Sequence, residues 1–70
     1  MRIAIADDDK LIRDHAEATL SLAGYQCETF TNGRDVIATL KRDTFDLLLL
    51  DWNMQGMTAI EVIEWARQNL

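Results

Sequence analysis

Two apolar runs in this chain each end in acid. Ile3-Ala4-Ile5-Ala6 stops at Asp7-Asp8-Asp9, and Leu47-Leu48-Leu49-Leu50 stops at Asp51. Ionised carboxylates only accept hydrogen bonds and are hard oxygen donors, so a group of them suits Mg²⁺, which takes oxygen ligands at ~2.0–2.1 Å. Acids gathered in one place also repel. Two charges ~4 Å apart oppose each other by ~4 kcal/mol at an effective dielectric of ~20, so the cluster demands a cation or protons. A carboxylate held against a divalent ion is in addition a competent nucleophile toward phosphorus, and its product would be an acyl phosphate on Asp51. The candidate metal ligands are therefore Asp7, Asp8 and Asp51, with Asn53 placed to add a backbone carbonyl from the loop that follows. Each feature alone has a plainer use. Three aspartates at a strand end can simply cap a helix, and one aspartate after a leucine run can simply end a strand. Only the combination is specific.

For these acids to meet, the segments between them must fold in a particular way. Residues 2–6 read as a short buried strand. From Asp9 to Ala23, the residues Leu11, Ile12, His15, Ala16, Thr19, Leu20 and Ala23 recur at helical spacing, with Asp8 or Asp9 as cap and Gly24 as the left-handed stop. Residues 25–30 form a second strand, and Asn32-Gly33 signals a turn. Val36, Ile37 and Leu40 mark a short helix over 34–42, and residues 45–50 form a third strand, apolar on both faces. After a loop at 54–58, residues 59–69 form a third helix, with Ile60, Ile63, Ala66 and Leu70 on one side. The order is βαβαβα. Parallel crossovers are right-handed in nearly all cases. With one helix on one face and two on the other, the first strand lies between the second and third. Asp7 and Asp8 then stand beside Asp51 at the carboxyl edge of a three-stranded parallel sheet of order 2-1-3, the edge where open α/β sheets place their sites.

Composition limits what else the chain could be. Seventy residues make at most one small domain, which buries only roughly 60% of its unfolded surface. Apolar residues make up 49% of the chain, an ordinary share for a folded protein. A formal charge of −5 argues against the chain gripping nucleic acid or an anionic membrane surface. No apolar run approaches a membrane span, and Asp7 interrupts any signal-peptide pattern. Cys27 is the single cysteine, so no internal disulfide can form, which points to a reducing, cytoplasmic setting.

At its acidic strand ends the chain resembles the receiver domain of two-component response regulators. The resemblance runs over all 70 residues, from Ile3-Ala4-Ile5-Ala6-Asp7-Asp8-Asp9 to Asp51-Trp52-Asn53-Met54. It implies that residues 1–70 are the N-terminal half of a flavodoxin-like receiver fold. Carried over position by position, Asp51 matches the phosphoacceptor and Asp8 the acid that binds Mg²⁺ directly. Asp7 matches the partner acid, often acting through water, and Asn53 the position whose carbonyl completes the site. In the family the phosphoryl group arrives from a histidine kinase or a small phosphodonor, and the domain signals through protein contacts without acting on external substrates.

The match also has gaps. A complete receiver is a five-stranded repeat of roughly 120 residues, whereas Leu70 follows the third helix. The family's phosphoryl-contacting hydroxyl and lysine belong to strands 4 and 5, and neither Thr58 nor Lys10 nor Lys41 matches them by position. Where receivers usually carry Pro-Gly-Met-Asp-Gly, this chain has Gln55-Gly56-Met57-Thr58-Ala59, although Thr58 and Glu61 can still form a capping box. An uncovered third strand of four leucines is a template for pairing, so the expectation is a homodimer with a continuous six-stranded sheet.

Two other functions compete with this one. A pure interaction module derived from a receiver half would leave the acids without a phosphoryl partner. An aspartyl-phosphate hydrolase would want a second acid two positions after Asp51, where Asn53 stands. Of the remaining residues, His15 reads as a packed or surface histidine. Trp52 reads as a half-exposed reporter beside the acceptor, and Trp65 falls off the main stripe of its helix.

Overall fold

The computed structural model describes residues 1–54 and 56–70. These form strands β1 (Arg2–Ala6), β2 (Gln26–Phe30) and β3 (Leu47–Leu50), and helices α1 (Lys10–Leu22), α2 (Gly33–Leu40) and α3 (Ala59–Asn69). The strands lie in the order β2-β1-β3. Both pairings are parallel, Ile3 standing opposite Cys27 on one side and Leu47 on the other. The topology is the one expected from right-handed crossovers, with β1 buried at the centre: Ile3, Ala4, Ile5 and Ala6 are all inaccessible.

Local chemistry sets the element ends, which differ by a residue or two from those read off the periodicity. Helix α1 begins at Lys10 because Asp9 serves as its cap: Asp9 is extended (φ −90°, ψ 116°) and its side chain accepts from the Leu11 and Ile12 amides. The helix closes before Gly24, whose φ of +96° a side chain would strain. The Tyr25 amide bonds back to the Leu20 carbonyl at 3.2 Å, so β2 starts one residue later, at Gln26. Asn32 caps α2 by accepting from the Asp35 amide, so that helix starts at Gly33. It ends at Leu40, after which the Lys41 and Arg42 amides bond back to Ile37 and Thr39. Strand β3 starts at Leu47 and not at Phe45. The Phe45 ring lies under the Arg2 guanidinium, 4.6 Å from its centroid, and edge-on to Phe30. Arg2 also donates to the Thr44 carbonyl at 2.8 Å, which pins the approach to β3. The expected Thr58–Glu61 capping box starts α3. The departure from the usual receiver loop at Gln55 lies outside the described residues.

The two sheet faces are unequal. On one, α2 and α3 cover a core of Ala6, Val36, Ile37, Leu40, Met54 and Val62, with Phe30, Leu48, Leu50 and Trp65 packed against it. The helix-3 stripe is therefore not Ile60, Ile63, Ala66 and Leu70. Ile60, Ile63 and Leu70 face outward, whereas Ala59 and Val62 are buried and Trp65 joins the core. Gly33 decides this, because it lets α2 approach α3 closely. A Cβ at Gly33 would lie 2.7 Å from both the Met57 carbonyl oxygen and Val62 Cγ2. Gly33→Ala is accordingly expected to destabilise the domain by about 1–3 kcal/mol, read as a lower urea midpoint with unchanged slope.

On the other face α1 stands alone, and none of its residues is buried. Its inner side is Arg13, Ala16, Glu17 and Leu20, all half-buried, while Leu11 and His15 are exposed. Successive strand residues alternate between faces. Leu47 and Leu49 thus turn toward the α1 side, where they remain 46% and 45% exposed. A groove of about 220 Å³ runs there between Ile12, Ala16, Ile5 and Leu49, and it ends at Asp7 and Asp51.

Candidate functional site

The sheet's own ladders place the acids. The Asp7 amide donates to the Phe30 carbonyl at the end of β2 (3.1 Å), and the Asp51 amide donates to the Ala6 carbonyl at the end of β1 (2.8 Å). Each acid is thus hydrogen-bonded to the neighbouring strand at the point where its own strand stops. Three elements meet at one edge, and their side chains meet with them. Asp7, Asp8 and Asp51 each offer a carboxylate oxygen, and the three oxygens lie within 4.8 Å of one another.

The three acids differ in setting. Asp7 is only 8% exposed. Its Oδ1 accepts from the Asp9 amide at 2.9 Å, and its carbonyl accepts from Arg13 Nη1 at 2.9 Å. These contacts hold the turn between β1 and α1 and leave one Asp7 oxygen for the cluster. Asp8 is exposed and Asp51 half-buried. Asp9 takes no part because its carboxylate caps α1. Asn53 lies in the turn two residues beyond Asp51, with its side chain exposed. Trp52, between them, is exposed as well and turns away from the core.

The donor set suits a hard divalent cation. It is all oxygen, carries up to three negative charges and lies at a solvent-facing sheet edge, where a small ion can keep several waters. Among the described residues no other group of three acidic, histidine or cysteine side chains comes together in this way. The neighbouring cations do not neutralise it. Lys10 is paired with Asp14 one turn along α1, and Arg13 is held on the Asp7 carbonyl.

Two features of this edge escaped the reading by residue type. One is Arg13, whose inward reach follows from its place on the half-buried side of α1. The other is a polar cleft of about 400 Å³ next to the acids, lined by Asp8, Thr31, Asn32, Arg34 and Gly56. A single residue of each type gave no signal for it, since the cleft is assembled from three separate loops.

Comparison with known proteins agrees with this architecture. The family model described as the response regulator receiver domain matches residues 3–69. The DNA-binding transcriptional regulator NtrC of Salmonella typhimurium is 41% identical over 64 residues, which is 91% of this chain and 14% of that protein. The chemotaxis response regulator CheY4 of Vibrio cholerae superposes with a TM-score of 0.93 at 34% identity, over 97% of this chain and 57% of that one. The response regulator TrrA of Thermotoga maritima, in complex with Mg²⁺-BeF, superposes with a TM-score of 0.90 at 31% identity, over 96% and 58% of the two chains. TrrA in complex with the histidine kinase ThkA also matches, with a TM-score of 0.91 at 30% identity over 99% and 60%. This chain therefore spans somewhat more than half the length of these structures and about one seventh of NtrC. A three-stranded β2-β1-β3 sheet with carboxylates gathered at its carboxyl edge, and a family match over nearly every residue, lead to one conclusion: the chain belongs to the response regulator receiver family.

Proposed function

We propose that residues 1–70 act as a receiver unit in a two-component phosphorelay, taking a phosphoryl group on Asp51. The observation that carries this reading is the meeting of three carboxylate oxygens within 4.8 Å at the ends of two strands. Asp7, Asp8 and Asp51 would hold Mg²⁺, with the Asn53 carbonyl completing the set. When bound, the ion offsets the negative charge of the acids and of the incoming phosphoryl oxygens. The chain's own residues do the rest. The Asp51 amide, tied to Ala6, fixes the acceptor carboxylate at the sheet edge, and Asp7, tied by Asp9 and Arg13, keeps a ligand oxygen aimed at it. The phosphodonor would be a histidine kinase or a small acyl phosphate, as the complex of TrrA with a histidine kinase suggests by analogy. The unit signals through protein contacts and turns over no external substrate. Its acidic charge favours neither nucleic acid nor membrane as a partner, and among the described residues no helix is long and apolar enough to cross a membrane. A single cysteine fits a reducing cytoplasm.

The exposed Leu47 and Leu49 of β3 support self-association as a homodimer. They also support a second reading, in which the unit is a non-phosphorylated interaction module. A beryllofluoride titration followed by Trp52 fluorescence separates the two. A saturable change that requires Mg²⁺ and vanishes with EDTA is expected. A flat response at millimolar Mg²⁺ and beryllofluoride would leave the interaction module as the function.

A further inference from the structure

The backbone of Asp7 and one of its side-chain oxygens are all held. Its amide donates to the Phe30 carbonyl at 3.1 Å, where β2 stops. Its Oδ1 accepts from the Asp9 amide at 2.9 Å, and its carbonyl accepts from Arg13 Nη1 at 2.9 Å. The last of these contacts is the unusual one, because it ties a side chain of α1 to the backbone at the end of β1.

The course of β2 explains it. Continued in the same register, the ladder would bring the amide of residue 32 to the Asp7 carbonyl. Residue 32 is Asn32, which has left the sheet to cap α2. Asp7 is only 8% exposed, and a carbonyl so placed needs a donor from the protein. Arg13 supplies it. It stands in the first turn of α1 on the half-buried side, where a long side chain points back toward the helix N-terminus. The carbonyl it holds belongs to the peptide that joins Asp7 to Asp8, two of the three acids of the cluster. A peptide unit is planar, so fixing its oxygen also fixes the direction in which the chain runs on to Asp8. Asp8 is exposed, and its carboxylate takes its direction from the backbone that carries it.

We infer that Arg13 is a positioning residue for the divalent cation: it sets the peptide between Asp7 and Asp8 so that their carboxylates converge, and thereby strengthens Mg²⁺ binding despite its own positive charge. The inference rests on the acid cluster being the Mg²⁺ site. Two effects of Arg13 oppose each other. Its charge repels a second cation nearby, so its removal on that ground alone would tighten Mg²⁺ binding. Its hydrogen bond orients two ligands, and loss of such a supporting contact commonly weakens a metal site by roughly 10–100-fold. The hydrogen bond prevails. At a solvent-facing edge the charge is screened, whereas Mg²⁺ demands near-ideal octahedral placement of its ligands.

The sign of the change therefore tests the inference. Arg13→Met keeps the apolar stem and removes both donor and charge, while Arg13→Lys restores a charged donor. With Mg²⁺ titrated into the whole chain and followed by Trp52 fluorescence, Arg13→Met is expected to raise the Kd at least about tenfold, and Arg13→Lys to return it to within about threefold of wild type. Lys10→Gln removes a charge from the same turn without touching Asp7, and is expected to change the Kd by less than about twofold. A second reading needs no metal. In EDTA, the Asp7 carbonyl ¹³C and Asp8 amide ¹⁵N resonances lie in the peptide that Arg13 holds. They are expected to move in Arg13→Met and to return in Arg13→Lys, while the amides of the paired sheet residues Ile5 and Thr29 stay in place. An unchanged or lower Kd in Arg13→Met overturns the inference. So does a raised Kd with the Ile5 and Thr29 amides displaced, because the sheet and not the turn has then changed. If the wild-type chain binds no Mg²⁺ at millimolar concentration, the metal reading falls by itself and the EDTA resonances decide the positioning role. Movement in Arg13→Met with recovery in Arg13→Lys supports that role, and unmoved resonances overturn it.

Discussion

Asp51→Asn is expected to abolish phosphorylation of the chain, lowering transfer from acetyl phosphate by at least about 1,000-fold, because an amide supplies no nucleophilic oxygen at neutral pH. The fold should survive the change. The Asp51 contact that extends the sheet is made by its backbone amide to the Ala6 carbonyl, and asparagine keeps that donor. The substitution also relieves repulsion in a cluster whose oxygens lie within 4.8 Å of one another. Removing one of three like charges should leave the unliganded domain as stable as before or slightly more so, and should weaken its hold on Mg²⁺. Intact mass after incubation with acetyl phosphate and Mg²⁺ gives the first result, and a urea melt in EDTA gives the second. Retained phosphorylation in Asp51→Asn would move the acceptor elsewhere, and a large loss of stability in EDTA would mean that the acids attract more than they repel.

If the chain is the homodimer proposed above, Leu49→Lys is expected to turn it into a monomer, weakening self-association by at least about 100-fold as read by sedimentation at micromolar concentration. If β3 pairs with its own copy, a two-fold axis perpendicular to the sheet sets the strands antiparallel and joins two β2-β1-β3 sheets through their β3 edges. The α1 helices then lie on the same face of the joined sheet, and the Leu47 and Leu49 side chains of both copies share the gap between them. A lysine at Leu49 enters this gap twice, once from each copy, so two like charges are brought together where apolar contact was available. In the separate chain the same lysine is tolerated, since Leu49 is already 45% exposed. Its effect is therefore on association and not on folding. A wild-type chain that sediments as a monomer at this concentration refutes the dimer directly. A Leu49→Lys chain that stays dimeric moves the interface away from β3.

Much of this molecule could be read before any coordinates. The position of Asp7, Asp8 and Asp51 at strand ends follows from two apolar runs that each stop at acid, because parallel strands in a right-handed βαβ arrangement finish at the same edge. The helix starts were legible in part: Asp9 and Thr58 each cap the helix expected of them, whereas Asn32, legible only as part of a turn, caps α2. Gly24 marks the end of α1 because a left-handed residue is needed there.

Other features depended on which surfaces meet. Helix α3 carries two offset apolar stripes, Ile60-Ile63 and Ala59-Val62, and periodicity weighs them equally. The core took the second: Gly33 lets α2 come so close that Val62 Cγ2 lies 2.7 Å from where a Cβ at Gly33 would stand, and Val62 joins the core. Helix α1 shows the converse. Its amphipathic spacing is clear, but burial needs a partner on the far side, and among the described residues Leu11 and Ile12 stay exposed. The Arg34 cleft is likewise a tertiary product, since Asp8, Asn32 and Gly56 come from three loops with no shared pattern. What the linear order of residues determined was strand direction, helix caps and the edge at which the acids gather, all of which depend on local or nearest-element rules. What only the folded chain decided was which apolar stripe is buried, which leucines stay exposed and which side chains line the cleft beside Asp8. Those outcomes depend on close packing between segments far apart in sequence, where differences of a few tenths of an ångström select among faces of equal polarity.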